Sequence, residues 1–148
     1  MNREERLAVL RDLAEVARSE AGDAATVEVT ELDGVEISIL EVTPVRTDAR
    51  AISIVAEQWL VVQVGQAGGR FELDWTAEDI AVASELVRSV IAGRVTERFG
   101  RSRSRVAVTT ADGLEYAETG VDGCLSALVP SPGWQRRGRL RAYAPYRA

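Results

Sequence analysis

Histidine and lysine are absent from this chain, and cysteine occurs once, at Cys124. Each absence closes off chemistry. Without histidine the commonest general base near neutral pH and the commonest transition-metal ligand are missing. Ser-His and Cys-His nucleophile pairs go with it. Without lysine there is neither a Schiff-base amine nor a P-loop lysine. One thiol makes neither an internal disulfide nor a CxxC zinc pair. All 18 basic residues are arginine, which, beside the many Ala, Val and Gly, reads as codon bias in a GC-rich bacterial genome.

Long apolar runs are also lacking. No segment approaches the roughly 18–20 continuous apolar residues of a membrane helix. The N-terminal MNREERLAVLRDLAE carries acids in an amphipathic pattern, not the basic stretch and apolar run of a signal peptide. The expectation is a cytoplasmic protein with no membrane contact. What is present is ordinary for a globular chain: 148 residues, 46% hydrophobic and 28% charged. That length allows one core without staples.

The net charge is −5 and the pI 4.9, but the charge is unevenly spread. Residues 1–85 hold 18 acids and 7 arginines, and residues 86–148 hold 5 acids and 11 arginines. The two halves could attract each other in the fold. Alternatively, they could give partners one acidic and one basic face.

Periodicity divides the chain into elements. Asn2 with Glu5 fits a helix N-cap and its N3 partner. Leu7, Leu10, Leu13, Ala14 and Ala17 then recur at helical spacing until Gly22. Two alternating runs follow, with Val27 and Val29 before Asp33-Gly34 and Val35, Ile37 and Ile39 after it. This predicts a hairpin with a two-residue turn at Asp-Gly. Strands are expected at 51–56 and 59–64, separated by Glu57-Gln58. The GQAGG run at Gly65–Gly69 forms a turn, and a fifth strand runs over 70–74. Thr76 caps a second helix with Asp79 at N3, its apolar stripe running from Ile80 to Ile91. Beyond Gly93, residues 94–99 fit a strand or a helical continuation, and Arg101–Arg105 fit a basic loop. A second Asp-Gly hairpin is centred on Asp112-Gly113.

The expected fold is α+β: a mainly antiparallel sheet of about 5–8 strands with two amphipathic helices packed on one face. The order is α-β-β-β-β-β-α-β-β, with room for a further strand. Residues 1–120 form one domain. Residues 121–148 form a weakly structured, Arg-rich segment, irregular or docked on that domain. Residues 70–98 are similar in character to small bacterial α+β proteins, a likeness that implies no activity.

Few residues suggest chemistry. Glu72 and Asp74 share one strand face, and Glu78 and Asp79 follow closely, so a carboxylate or divalent-cation site is conceivable. Solvated strand and helix-end acids explain the cluster more simply. Arg101, Arg103 and Arg105, with Arg94 and Arg98, could track a phosphate backbone, as could Arg136–Arg141 beside Trp134 and Tyr143. The acidic pI and the lack of a nucleic-acid motif argue against it. GQAGG lacks phosphate-loop spacing. Trp59 and Trp75 read as core or edge aromatics, or as the lining of a ligand pocket. Cys124 reads as a buried, inert thiol.

The leading expectation is a non-enzymatic protein–protein interaction module, a small acidic protein of chaperone-like or toxin-neutralising kind. It would use Glu72, Asp74, Arg101, Arg103, Arg105, Trp59 and Trp75 as its surface. No cofactor or metal is expected, a homodimer through a sheet edge is conceivable, and nucleic acid is an unfavoured partner. The alternatives are a small-molecule binding domain with a pocket between sheet and helices, and a hydrolase centred on Glu72 and Asp74.

Overall fold

In the computed structural model, which describes residues 1–148, Asn2 starts the first helix by a reciprocal cap. Its side-chain oxygen accepts from the Glu5 N–H (2.9 Å), and the Glu5 carboxylate accepts from the Asn2 N–H (2.7 Å). The helix α1 (Arg3–Ala21) buries Leu7, Leu10, Leu13, Ala14, Ala17 and Ala21 along one face and ends at Gly22. Complete burial of a leucine such as Leu10 contributes about 1.5–3 kcal/mol.

Five antiparallel strands follow as a meander in spatial order β1-β2-β3-β4-β5: β1 (Ala25–Glu31), β2 (Ser38–Pro44), β3 (Ile52–Ala56), β4 (Leu60–Gln63) and β5 (Arg70–Leu73). Leu40 and Val42 pair with Ile54 and Ile52, and this face meets the helices. The second helix, α2 (Ala77–Ile91), is capped by Thr76, whose hydroxyl accepts from the Asp79 N–H at 3.1 Å. It packs beside α1 and buries Ala83, Leu86, Val87, Val90 and Ile91.

The rest builds a second antiparallel sheet: β6 (Val95–Gly100), β7 (Arg103–Thr109), β8 (Glu115–Val121) and β9 (Arg139–Ala142), in the order β8-β7-β6-β9. Between β8 and β9 the chain crosses the outer face through residues 122–138, including a one-turn helix α3 (Trp134–Arg137). Val95, Val106, Val108, Tyr143 and Tyr146 join the helices and the first sheet in one cluster of 25 buried residues. One core therefore serves both sheets. The edges of β5 and β8 lie against each other, where the Gly69 N–H donates to the Glu118 carbonyl at 3.2 Å. β1 and β9 form the two sheet edges away from this contact.

The α+β class and the element order are as the sequence implied, but in place of one sheet of about 5–8 strands there are nine strands in two sheets, because α2 separates β5 from β6 and no ladder joins β5 to β8. Three local readings need correction. At Asp33-Gly34 the strands stop at Glu31 and Ser38, and Leu32 N–H to Ile37 carbonyl closes a loop of four residues. Val35 is consequently exposed, and Ile39 lies on the face opposite Leu40 and Val42. The run Ile37-Ser38-Ile39-Leu40 has apolar residues at both parities, and pairing with Ile52 and Ile54 selects the even one. The Asp112-Gly113 hairpin forms where expected, its three-residue loop carrying Gly113 at φ 89° and closed by Thr110 N–H to Leu114 carbonyl. Arg103 and Arg105 are strand residues of β7, because only Arg101 and Ser102 are needed to turn from β6. Cys124 is exposed, since its stretch lies on the surface crossover.

Candidate interaction surface

Alternation along β6 turns Val95, Glu97 and Phe99 inward and Thr96, Arg98 and Gly100 outward. The register sets Arg98 directly opposite Arg105 of β7 on the outer face, and Leu140 of β9 on the other side of Arg98. Like charges placed opposite each other cost stability. Arg98 is held by carbonyls, donating to Gly138 at 2.9 Å and Arg136 at 3.4 Å. Arg103 likewise donates to the carbonyls of Ser126 (2.8 Å) and Val129 (2.7 Å). These two arginines hold the crossover onto the sheet, with the Trp134 ring lying over Gly100, where any side chain would collide with it. A recess of about 390 Å³ opens beside them, walled by Arg101, Arg103, Leu125 and Val129. Leu125 and Leu128 are 80% and 78% exposed, outside the core.

Every ion pair in the molecule uses an arginine between Arg3 and Arg94. Of the arginines beyond residue 85, only Arg88 and Arg94 pair with acids of the first half, Glu20 and Glu85. Attraction between the two halves thus neutralises little of the basic half. Arg98, Arg101, Arg103, Arg105, Arg136, Arg137, Arg139 and Arg141 have no carboxylate within 4.0 Å and cluster on one sheet and its crossover. The outer face of the first sheet carries no such arginine cluster and mixes acidic with apolar residues. Glu28 and Glu41 pair across β1 and β2, and the row Ile39, Val55, Val61 ends at Glu72.

The sequence-selected residues do not assemble into one site. Glu72 is exposed and paired with Arg70 at 3.2 Å. Asp74 is also exposed, and its backbone N–H donates to Asp79 Oδ2 at 2.8 Å. No cluster of three or more acidic or thiol ligands is arranged for a metal ion. Trp59 lies at the β3–β4 turn, 44% exposed. Trp75 donates its indole N–H to the Gln58 carbonyl at 3.0 Å, so both tryptophans flank that turn. The space between the first sheet and the helices is filled by core side chains. Arg101, Arg103 and Arg105 do converge, at the β6–β7 end of the second sheet.

One group escaped sequence reasoning. Glu97 is fully buried and accepts from the Tyr143 hydroxyl (2.6 Å), the Ser104 hydroxyl (2.6 Å) and the Gln66 N–H (3.0 Å). Ser104 in turn accepts from the Gly68 N–H at 2.8 Å. The GQAGG turn is thereby bolted to the second sheet, and the C-terminal segment to both. Burial, and then the bond to Glu97, push the Tyr143 phenol up to about 12. Three donors satisfy the carboxylate, so it works as a fastening. The inward parity of Val95, Glu97 and Phe99 was the available signal. Compared with family models, curated proteins and solved structures, the chain matches none.

Proposed function

We propose that this protein is a non-enzymatic interaction module that receives an acidic protein partner on its second sheet. One observation supports this above the others: the eight arginines from Arg98 to Arg141 lie on the second sheet and its crossover without carboxylate partners, Arg98, Arg103 and Arg105 on the outer face and Arg139 and Arg141 on the other face of the edge strand β9. Guanidinium groups are the preferred cations of protein interfaces because they form forked bonds to carboxylates and are weakly hydrated. Exposed Leu125, Leu128 and Leu140 beside them supply apolar contact area. Complementary charge steers such an encounter and fixes its orientation. A chaperone-like or toxin-neutralising role is one that such a surface would serve.

Arg101 and Arg105 make no side-chain bond within the molecule, so reversing them leaves the fold alone. Crosslinking mass spectrometry in the source cells, with wild type and R101E/R105E, tests the reading. An acidic protein linked to β6–β9 and lost from the variant supports it. The same links from both forms would sink it.

A further inference from the structure

We propose that the partner docks as an extended strand on the free edge of β9, and that the docking segment alternates acidic and apolar residues. This rests on the interaction-module reading and specifies its geometry.

The backbone provides the first argument. The Tyr143 N–H donates to the Val95 carbonyl at 3.0 Å, continuing the β6–β9 register. In an antiparallel pair alternate residues bond to the same neighbour, so Arg139 and Arg141 also face β6, and Leu140 and Ala142 face away. Ala144, next in that outward series, already uses its N–H, donating to the Asp48 carbonyl at 3.0 Å. Leu140 and Ala142 have no neighbouring strand, and every residue of β9 is exposed. Such an edge is a template for one more strand.

The side chains provide the second. Arg139 and Arg141 project from the same side of β9, each over an aromatic ring: Arg139 lies 5.1 Å from the Phe99 centroid, and Arg141 4.9 Å from that of Tyr143. Stacking fixes both guanidinium groups before any partner arrives, which lowers the entropy cost of binding. Asp48, which senses the charge of Arg141, is already held by two bonds from Arg46 at 2.9 and 2.8 Å. Leu140 projects from the opposite side, 54% exposed. Cross-strand neighbours share a face. An added strand therefore meets two cations on one side and a leucine on the other, and its matching pattern is acid, apolar, acid. Single-stranded nucleic acid fits less well, because the two rings here are covered by the arginines.

The test uses the full chain and a short capped peptide of alternating glutamate and valine. NMR titration is expected to move the amides of Leu140 and Ala142. R139E/R141E is expected to weaken binding by about tenfold or more. Leu140→Pro removes an N–H that bonds to nothing in the fold, a change edge strands tolerate, and is expected to weaken binding about tenfold. A peptide N-methylated at alternate residues gives the same readout against the unaltered protein, whether or not L140P folds. If charge reversal weakens binding but N-methylation and L140P do not, strand addition is overturned and the arginine surface still stands. Binding indifferent to all the changes overturns both. Tighter binding of a lysine–valine peptide or of oligo-deoxythymidine than of the glutamate–valine peptide also overturns the proposal.

Discussion

At the scale of single residues, the most consequential group is a carboxylate that is nowhere near solvent. An acid buried with its donors in place is tolerated, but removing one donor exposes the desolvation penalty. Tyr143→Phe takes the 2.6 Å bond from Glu97 and is expected to cost about 1–3 kcal/mol, read from urea denaturation; a change below about 0.5 kcal/mol, the range of ordinary surface substitutions, would contradict the fastening role. The same bond has a pH signature. Tyr143 is raised to about 12, first by burial and then by Glu97, and burial also raises Tyr146, whose hydroxyl donates to the Arg50 carbonyl at 2.6 Å. Phenolate is disfavoured in the fold. The tyrosines' contribution is thus complete below the unfolded pKa of about 10 and is lost as pH climbs towards and past 12. Urea midpoints between those values should fall with pH, and less steeply in Tyr143→Phe. Equal slopes would reject this assignment.

At the scale of elements, helices were the more legible because their signals are local. Asn2, Glu5, Thr76 and Asp79 cap the helices from within a few residues in sequence. Asn2→Ala should therefore cost about 0.5–2 kcal/mol without altering the second sheet, which thermal melts and amide exchange would check. Strand faces were harder to read, since β2 carries apolar residues at both parities and its partner β3 chooses between them. The turns between strands hold the least predictable feature. Gly120 sits in β8 against the GQAGG turn, and a Cβ there would fall on the Ala67 carbonyl. Neither backbone can yield easily, so Gly120→Ala should destabilise by about 1–3 kcal/mol. Gly34→Ala meets no neighbour and should cost only its left-handed backbone strain, about 1–2 kcal/mol. A Gly120→Ala variant as stable as the unaltered protein would show that the sheets do not meet where the structure puts them.

At the scale of the whole molecule, the C-terminal segment joins parts distant in sequence. Tyr143 reaches Glu97, Tyr146 reaches Arg50, and the Arg147 guanidinium donates to the Ala21 carbonyl at 2.9 Å. Ending the chain after Gly138 would remove β9 and these three contacts and leave Glu97 with one donor fewer. Such a truncation should lose the cooperative thermal transition of the full chain; retention of the transition within a few degrees would refute the segment's structural role. The separation of charge also acts at this scale. Docking of an acidic partner should weaken as salt rises, because the screening length falls from about 10 Å at 0.1 M to about 3 Å at 1 M. Salt-independent binding would point to the apolar groups alone.

The sequence by itself determined the classes of chemistry available, the two helices and their caps, the alternation of strands, and the imbalance of charge between the halves. These are set by composition or by neighbours within a turn or two. Tertiary structure decided which parity of β2 faces the core, that the strands divide into two sheets, that Glu97 is buried, and that the arginines remain unpaired. Each of those depends on contacts between residues far apart in the chain, where the energy of pairing and burial outweighs local preference.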